Sequence, residues 1–350
     1  MKAVVLYEQG GVEKLVYADH PDPEITVSEV LVQVEACALN RLDLKARQDR
    51  PEVDPFPHIL GSDIAGIVVE VGAKVKQISV GNRVVLSPNI SCGQCSDCVS
   101  GDENLCDSQK LIGFQTNGGY AEYVAIPSAN AVPIADDLDF SAAAAIPIAY
   151  LTAWHMLVTR ARIQPGEDVL VLSVGSGVGS AGLQIAKLSG CRVFATASSE
   201  EKLQVARQMG ADFTVNYTQT DFSQFVLDRT NGRGVDVVLE HVGQATWEQS
   251  LASLAKNGRL VTCGVTTGNQ GQIDIRKMYQ KQLSLLGSAL GSTPELRTVV
   301  QLANSGTLNP VVDRTLPLQQ AQLAHQILED RLNFGKICLS PTIRDSPTTV

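Results

Sequence analysis

The sequence predicts an α/β protein in which a doubly wound parallel sheet is joined to a second, β-rich domain. Three observations carry that expectation. After Pro165-Gly166, apolar strands alternate with helical segments; a glycine-rich turn follows the first of those strands; and residues 1 to about 127 read as short strands broken by Gly and Pro. At 350 residues the chain has room for two domains of roughly 150 residues each, and a hydrophobic fraction of 44% is ordinary for globular cores.

In the first part, the alternation Val30-Leu31-Val32-Gln33-Val34 predicts a half-buried strand, and Gly66 to Gly72 predicts another. In the second, strands are expected at Val169 to Val174, Arg192 to Ser198, Phe213 to Tyr217, Val235 to Val242, Arg259 to Val265 and Leu283 to Ala289. Six such strands suit a nucleotide-binding sheet. From about residue 293 the pattern is helix-rich, and it ends in Gly335-Lys336-Ile337-Cys338-Leu339, a strand able to return to the first domain. The polar segment Arg344 to Val350 is expected to fray.

Composition excludes several classes. A formal charge of −9 without a Lys/Arg block gives no concentrated positive face for a phosphate backbone, so no nucleic-acid partner is expected. The N-terminus meets Glu8 too soon for the apolar region of a signal peptide. The longest apolar stretch, Ala142 to Trp154, contains Pro147 and is shorter than the roughly 20 residues that cross a bilayer, so it reads as core, with no membrane partner. Cys37, Cys191, Cys263 and Cys338 sit singly among aliphatic residues, as buried thiols in a reducing cytoplasm do.

The other four cysteines, Cys92, Cys95, Cys98 and Cys106, form a Cys-x2-Cys-x2-Cys-x7-Cys run. Four thiolates leave no open coordination position, which is the donor set of one structural zinc per chain and not of a zinc that must admit substrate. A ferredoxin-type cluster run has a short last gap followed by Pro; here seven residues intervene and Asp107 follows.

The strand ending at Val174 runs into Gly175-Ser176-Gly177-Val178-Gly179-Ser180-Ala181-Gly182 and then into a helical segment. A strand–glycine turn–helix unit brings backbone N–H groups and a positive helix end against a pyrophosphate, so Gly175, Ser176, Gly177, Val178 and Gly179 are candidate cofactor contacts. Two phases fit the fingerprint, Gly177-x-Gly179-x-x-Gly182 and the looser Val174-x-Ser176-x-x-Gly179. An NAD-selective site carries an acidic residue about 20 positions on, whereas position 197 is Ala197. A carboxylate there would repel a 2′-phosphate by ~4 kcal/mol per unit charge at an effective dielectric near 20. Its absence predicts NADP(H), with Ser198 as a hydrogen-bond donor and Lys202 as a point charge for the phosphate.

Taken together, the chain resembles the medium-chain dehydrogenase/reductase superfamily, in particular its quinone oxidoreductase-like and zinc-type alcohol dehydrogenase-like members. The resemblance is carried by Leu60 to Gly66, the Cys92 to Cys106 run, Gly118 to Tyr123, Leu151 to Trp154 and Gly175 to Lys187. It implies a GroES-like substrate domain at 1–127 and 293–350, with a zinc lobe at about 91–107, enclosing a Rossmann domain at 128–292. It also implies an active site in the cleft between the domains, a homodimer or homotetramer, and Tyr217 beside Lys202 on the adenosine 2′-phosphate.

The departures from the zinc-dependent relatives are as informative. Where the resemblance places three catalytic zinc ligands, this chain has Asn40, Ser62 and a residue near Ile148; Asp63 replaces a Glu and Leu42 the hydroxyl that relays a proton. Only Asp63 among these ligates a divalent ion well. The expected reaction is therefore hydride transfer from NADPH to a small quinone or activated enone or carbonyl compound, with the Asn40 amide steadying the developing oxyanion. Arg41 is expected to meet the cofactor pyrophosphate, and Asp43 to order its loop. His155 reads as a core or interface residue; His58 is a weaker candidate acid, and the proton can come from water. The alternatives are a zinc alcohol dehydrogenase with atypical ligands and a nucleotide-binding protein without turnover.

Overall fold

The computed structural model describes residues 1–50, 53 and 55–343, so the polar terminus from Arg344 to Val350 lies outside the described residues. The chain divides into two units, one of Met1–Ile148 with the residues from Ser292 onward and one of Ala149–Gly291.

The first unit begins with β1 (Lys2–Leu6), β2 (Leu15–Asp19), β3 (Glu29–Ala38), α1 (Arg41–Gln48), β4 (His58–Ile59), β5 (Asp63–Val71) and β6 (Arg83–Leu86). It continues through β7 (Asn89–Ile90), α2 (Ser96–Ser100), β8 (Lys110–Leu111), β9 (Tyr123–Pro127), β10 (Ala131–Pro133) and α3 (Phe140–Ala144). The alternation noted at Val30–Val34 is a strand that buries Val30, Val32 and Val34 completely.

The second unit contains α4 (Ala149–Trp154), extended by a π-helical turn over His155–Arg160, then β11 (Asp168–Val171), α5 (Gly177–Leu188), β12 (Arg192–Ala197) and α6 (Glu200–Gln208). It goes on through β13 (Phe213–Asn216), α7 (Phe222–Arg229), β14 (Val235–Glu240), α8 (Trp247–Ala252), β15 (Leu254–Thr262), α9 (Ile275–Lys281) and β16 (Ser284–Gly287). Its six strands are all parallel, in the order β13-β12-β11-β14-β15-β16. This is the doubly wound order with the reversal between the first and fourth strands, where nucleotide ligands sit at the carboxyl ends. Leu170, Phe194, Val238 and Leu260 are fully buried in it, which is why these strands read as apolar runs without alternation.

The chain then returns to the first unit through α10 (Thr293–Asn304), β17 (Val312–Pro317), α11 (Ala321–Glu329) and β18 (Lys336–Ser340). β18 pairs antiparallel with β3 and completes the path β10-β6-β5-β3-β18-β17. The return of the last strand is as expected from sequence, but the division after residue 127 is not. β10 pairs with β6, and α3 is tied to β17 and β18 by Thr315 Oγ1 to Ser141 Oγ at 2.9 Å and Cys338 Sγ to Ser141 O at 3.5 Å, so the first unit runs on to Ile148. The alanine-rich segment there lacks strand periodicity, and only its packing assigns it.

Candidate functional site

Strand register assembles a charged cluster in the first unit. Ala38 on β3 lies opposite Asp63 on β5 and opposite Cys338 on β18, so Asn40, two residues on, meets both Asp63 and Lys336. Asn40 Nδ2 donates to Asp63 Oδ2 at 2.9 Å, and Lys336 Nζ donates to Asp63 Oδ2 at 2.8 Å and to Asn40 Oδ1 at 2.5 Å. The backbone N–H of Ile148 donates to the other Asp63 oxygen at 2.7 Å. Asp63 is fully buried and the Lys336 side chain is 4% exposed, so the ammonium and carboxylate compensate each other where an unpaired charge would be very costly.

Gly61 delivers Asp63 to this point. Its φ is +99°, and a Cβ there would lie 2.5 Å from the Tyr120 ring and 2.7 Å from Cys37 Sγ, so only glycine fits this turn. Of the other positions matching zinc ligands, Ser62 turns its hydroxyl away and donates to Ile112 O at 2.6 Å, and Ile148 contributes only its backbone.

Asn40 caps α1. Its backbone N–H donates to Asp43 Oδ2 at 2.7 Å, which gives Asp43 the loop-ordering part expected of it. Asp43 is fully buried, and burial pushes its carboxyl up to about 7. Arg41 reaches the Leu328 carbonyl at 3.4 Å, the long end of the hydrogen-bond range. His58 is buried beside Gly113, and burial holds its imidazole below the usual range. Behind the cluster α1 is locked to α11: buried Arg47 pairs with Glu329 at 2.6 Å and approaches His325 Nδ1 at 3.4 Å, while His325 Nε2 lies 3.1 Å from the Tyr120 hydroxyl. Burial, with Arg47 beside it, pushes His325 down to about 3, so the ring is neutral.

In the second unit the glycine turn resolves the two phases. Ser173 takes a φ of +45°, and α5 starts at Gly177 with Ser176 as its N-cap, the Ser176 hydroxyl accepting from Gly179 N at 2.9 Å. A Cβ on Gly179 would lie 2.4 Å from Ser173 O and 2.8 Å from Val174 Cα. Gly179 is therefore the residue that lets helix and strand pack closely, and the operative phase is Val174-x-Ser176-x-x-Gly179. Gly175, Ser176, Gly177 and Val178 stay half-buried at the helix start, while Gly179 is buried. The adjacent end of β14 adds His241, whose Nε2 donates to Leu172 O at 2.8 Å and lies 3.5 Å from Ser176 Oγ. Before it, fully buried Glu240 accepts from Val242 N, Gly243 N, Thr246 Oγ1 and Ser250 Oγ and so shapes that loop.

At the ends of β12 and β13, Ala197 pairs with Asn216 and Tyr217 N donates to Ala197 O at 3.1 Å, so Ser198 and Tyr217 follow side by side. Lys202 stands in the first turn of α6, and its backbone N–H reaches Ser199 Oγ at 3.5 Å. Glu200 of the same turn pairs with Arg207 at 2.5 Å.

Cys92, Cys95, Cys98 and Cys106 come together with all four sulfurs within 4.8 Å of one another, and Cys92 Sγ lies 3.9 Å from Cys98 Sγ. Tetrahedral zinc with Zn–S near 2.3 Å asks for sulfurs about 3.8 Å apart, so the set fits that ion. Among the described residues no second group of three His, Cys, Asp or Glu ligand atoms gathers in this way. The lobe is anchored through Glu103, which accepts from Thr293 N at the start of α10.

Comparison with known proteins places this architecture. The family model for the alcohol dehydrogenase GroES-like domain matches residues 26–136, and that for zinc-binding dehydrogenase matches residues 177–305. The chain is 30% identical to an NAD-dependent alcohol dehydrogenase of Sulfolobus acidocaldarius, over 98% of this chain and 100% of that one. The chain belongs to the medium-chain dehydrogenase/reductase superfamily. This medium-chain dehydrogenase/reductase is also 30% identical to the quinone oxidoreductase of Rattus norvegicus, with 97% of each chain covered. A solved structure of an NAD-dependent alcohol dehydrogenase superposes with a TM-score of 0.94 at 43% identity, covering 97% of this chain and 99% of that one. The protein is an oxidoreductase with a GroES-like domain and a Rossmann domain of the NAD(P)-binding kind. Among its described residues no helix is long and apolar enough to cross a membrane.

Sequence reasoning missed Lys336, Glu240 and His241. The one available signal was a lysine opening an otherwise apolar strand, Lys336-Ile337-Cys338-Leu339. Its partners lie about 270 and 300 residues away in the chain, so spacing carried no hint of them.

Proposed function

We propose that the protein is an NADPH-dependent reductase of quinones or activated enones and carbonyl compounds that works without a catalytic zinc. The observation that carries this reading is the Lys336–Asp63–Asn40 cluster: a fixed ammonium already neutralises the one good metal ligand of the set, and the Asn40 amide is left with a hydrogen to give to a substrate oxygen. A quinone or enone suits such a site because delocalisation lowers the charge that must be stabilised. A panel of NADPH and NADH oxidation assays over quinones, enones and aldehydes, with alcohol oxidation run in parallel with and without added zinc, tests it. Rapid zinc-dependent oxidation of simple alcohols would overturn it in favour of an alcohol dehydrogenase with atypical ligands.

In the cofactor site, Gly175, Ser176, Gly177 and Val178 would hold the pyrophosphate and Ser198, Lys202 and Tyr217 the 2′-phosphate; Arg41 is proposed as a further pyrophosphate contact on its charge. Lys202→Ala is expected to weaken NADPH binding by about 10- to 100-fold, the worth of one charge-assisted contact, and to leave NADH unchanged. Titration calorimetry with both cofactors checks this, and equal loss of both would remove Lys202 from the phosphate site.

The cysteine cage would hold a structural zinc, and elemental analysis should return one zinc per chain. Chelation should destabilise the lobe before it alters hydride transfer, which thermal unfolding and single-turnover rates measured on the same sample separate. Two firmly held zinc ions per chain would contradict the proposed active site.

A homo-oligomer is also proposed, with a second copy along β16. That strand ends the sheet order, and Val265, Ile275 and Tyr279 nearby are 57%, 73% and 64% exposed, an open edge with apolar neighbours. Light scattering should give a dimer or tetramer, and Ile275→Glu should shift it toward monomer. A cytoplasmic location is also proposed, on the ground that Cys37, Cys191 and Cys338 are buried thiols of the kind a reducing compartment maintains.

A further inference from the structure

We propose that Lys336 is the positioning residue of the active site, its ammonium fixing the flip of the Asn40 carboxamide so that an N–H faces the substrate oxygen; this rests on the oxyanion role proposed for Asn40. The two ends of a carboxamide have nearly the same shape, and only their partners decide which way it points. An ammonium can only donate and a carboxylate can only accept. Lys336 Nζ stands 2.5 Å from Asn40 Oδ1, and Asp63 Oδ2 stands 2.9 Å from Asn40 Nδ2. The flipped amide would set NH2 against NH3⁺ and oxygen against carboxylate, so both contacts would turn repulsive.

The lysine has little freedom to leave. Its side chain is 4% exposed, and β18 is registered on β3 by the Leu39 N to Ile337 O hydrogen bond at 2.8 Å and by the Cys338–Ala38 pair. Asp63 is held in turn by Ile148 N, which keeps its second oxygen from rotating into the site. Of the two amide hydrogens on Asn40 Nδ2, one is committed to Asp63 and the other has no partner among the described residues. Removing the ammonium takes away the only charged donor to the amide oxygen and leaves Asp63 and the capping-box approach of the Asp43 N–H to hold the side chain, so the amide can pivot away from the direction in which the oxyanion develops. A geometric donor of this kind loses most of its value when it must reorganise during the reaction.

A double-mutant cycle on single-turnover hydride transfer tests this, using whichever acceptor or alcohol the wild-type enzyme turns over. Lys336→Met should slow the step by about 10- to 100-fold at unchanged NADPH affinity, and Lys336→Arg, which is also charged and donor-only, should recover part of the loss. Asn40→Ala combined with Lys336→Met should be no slower than Asn40→Ala alone, because the lysine acts through the amide. Multiplicative losses, or an unchanged rate in Lys336→Met, would overturn the proposal. Should Lys336→Met fail to fold because Asp63 is left unpaired, the cycle is run on the charge-neutral Lys336→Met/Asp63→Asn background with the same criterion. Independently of turnover, the Asn40 side-chain amide resonance, assigned by its loss in Asn40→Ala, should shift in the lysine variant, and an unmoved resonance would refute the contact. An enzyme that oxidises alcohols but reduces no quinone or enone would defeat the proposed function while leaving the cycle to decide the role of Lys336.

Discussion

Asn40→Ala is expected to slow single-turnover hydride transfer by about 10- to 1,000-fold while NADPH binds with nearly unchanged affinity. The asymmetry follows from where the amide acts. Asn40 lies in the first unit, at the N-cap of α1, whereas the glycine turn and the β12–β13 edge proposed for the cofactor lie in the second. Its contact with a substrate oxygen strengthens only as negative charge arrives, so the loss falls on the rate and not on cofactor binding. Part of the effect is indirect, because Lys336 and Asp63 each lose a hydrogen-bond partner when the amide is removed. Thermal unfolding measured beside the stopped-flow rate at saturating NADPH separates the two, since a displaced lysine alters thermal stability while a missing oxyanion donor does not. An unchanged rate in Asn40→Ala would remove Asn40 from the chemistry and would leave the substrate class open to the assay panel.

The second large effect concerns stability and pH. His325 is neutral in the folded protein because its pKa is depressed from 6.5 to about 3, so below pH 6.5 the unfolded chain binds a proton that the folded one does not. The stability tied to this histidine is thus fully present above pH 6.5 and falls by about 1.4 kcal/mol per pH unit as pH drops toward 3. Asp43 acts in the opposite sense. Its folded pKa is raised from 3.8 to about 7, so it favours folding as pH falls between those values and flattens the wild-type acid profile. The difference in unfolding free energy between wild type and His325→Gln isolates the histidine. That difference should shrink steadily below pH 6.5, with urea titrations at several pH values as the measurement. A constant difference would mean that the buried ring is already protonated, in conflict with the guanidinium of Arg47 at 3.4 Å.

The part of the fold legible in the sequence was the part made by local pattern. The parallel strands announced themselves as apolar runs because the sheet is buried on both faces, and all six expected segments overlap an observed strand. Their ends shifted where backbone geometry intervened: the first strand stops at Val171 because Ser173 turns into a positive φ before the cofactor helix. The choice between two glycine phases could not be made from spacing at all. It was made by the Ser173 and Val174 backbone, which leaves no space for a Cβ at Gly179.

The sequence by itself determined the chemistry that depends on residue type within one segment: the four-thiol cage, the strand–glycine turn–helix unit, the missing carboxylate at Ala197, and the absence of histidine or cysteine at Asn40, Ser62 and Ile148. Only the tertiary structure decided what stands near those substituted positions. Asn40, Asp63 and Lys336 belong to three strands or their ends that are distant in the chain, and antiparallel register alone sets them within 3 Å of one another. The physical reason is that a buried lysine is tolerable only beside a carboxylate and an amide oxygen, and a linear sequence names the charges without saying which of them will share a low-dielectric site.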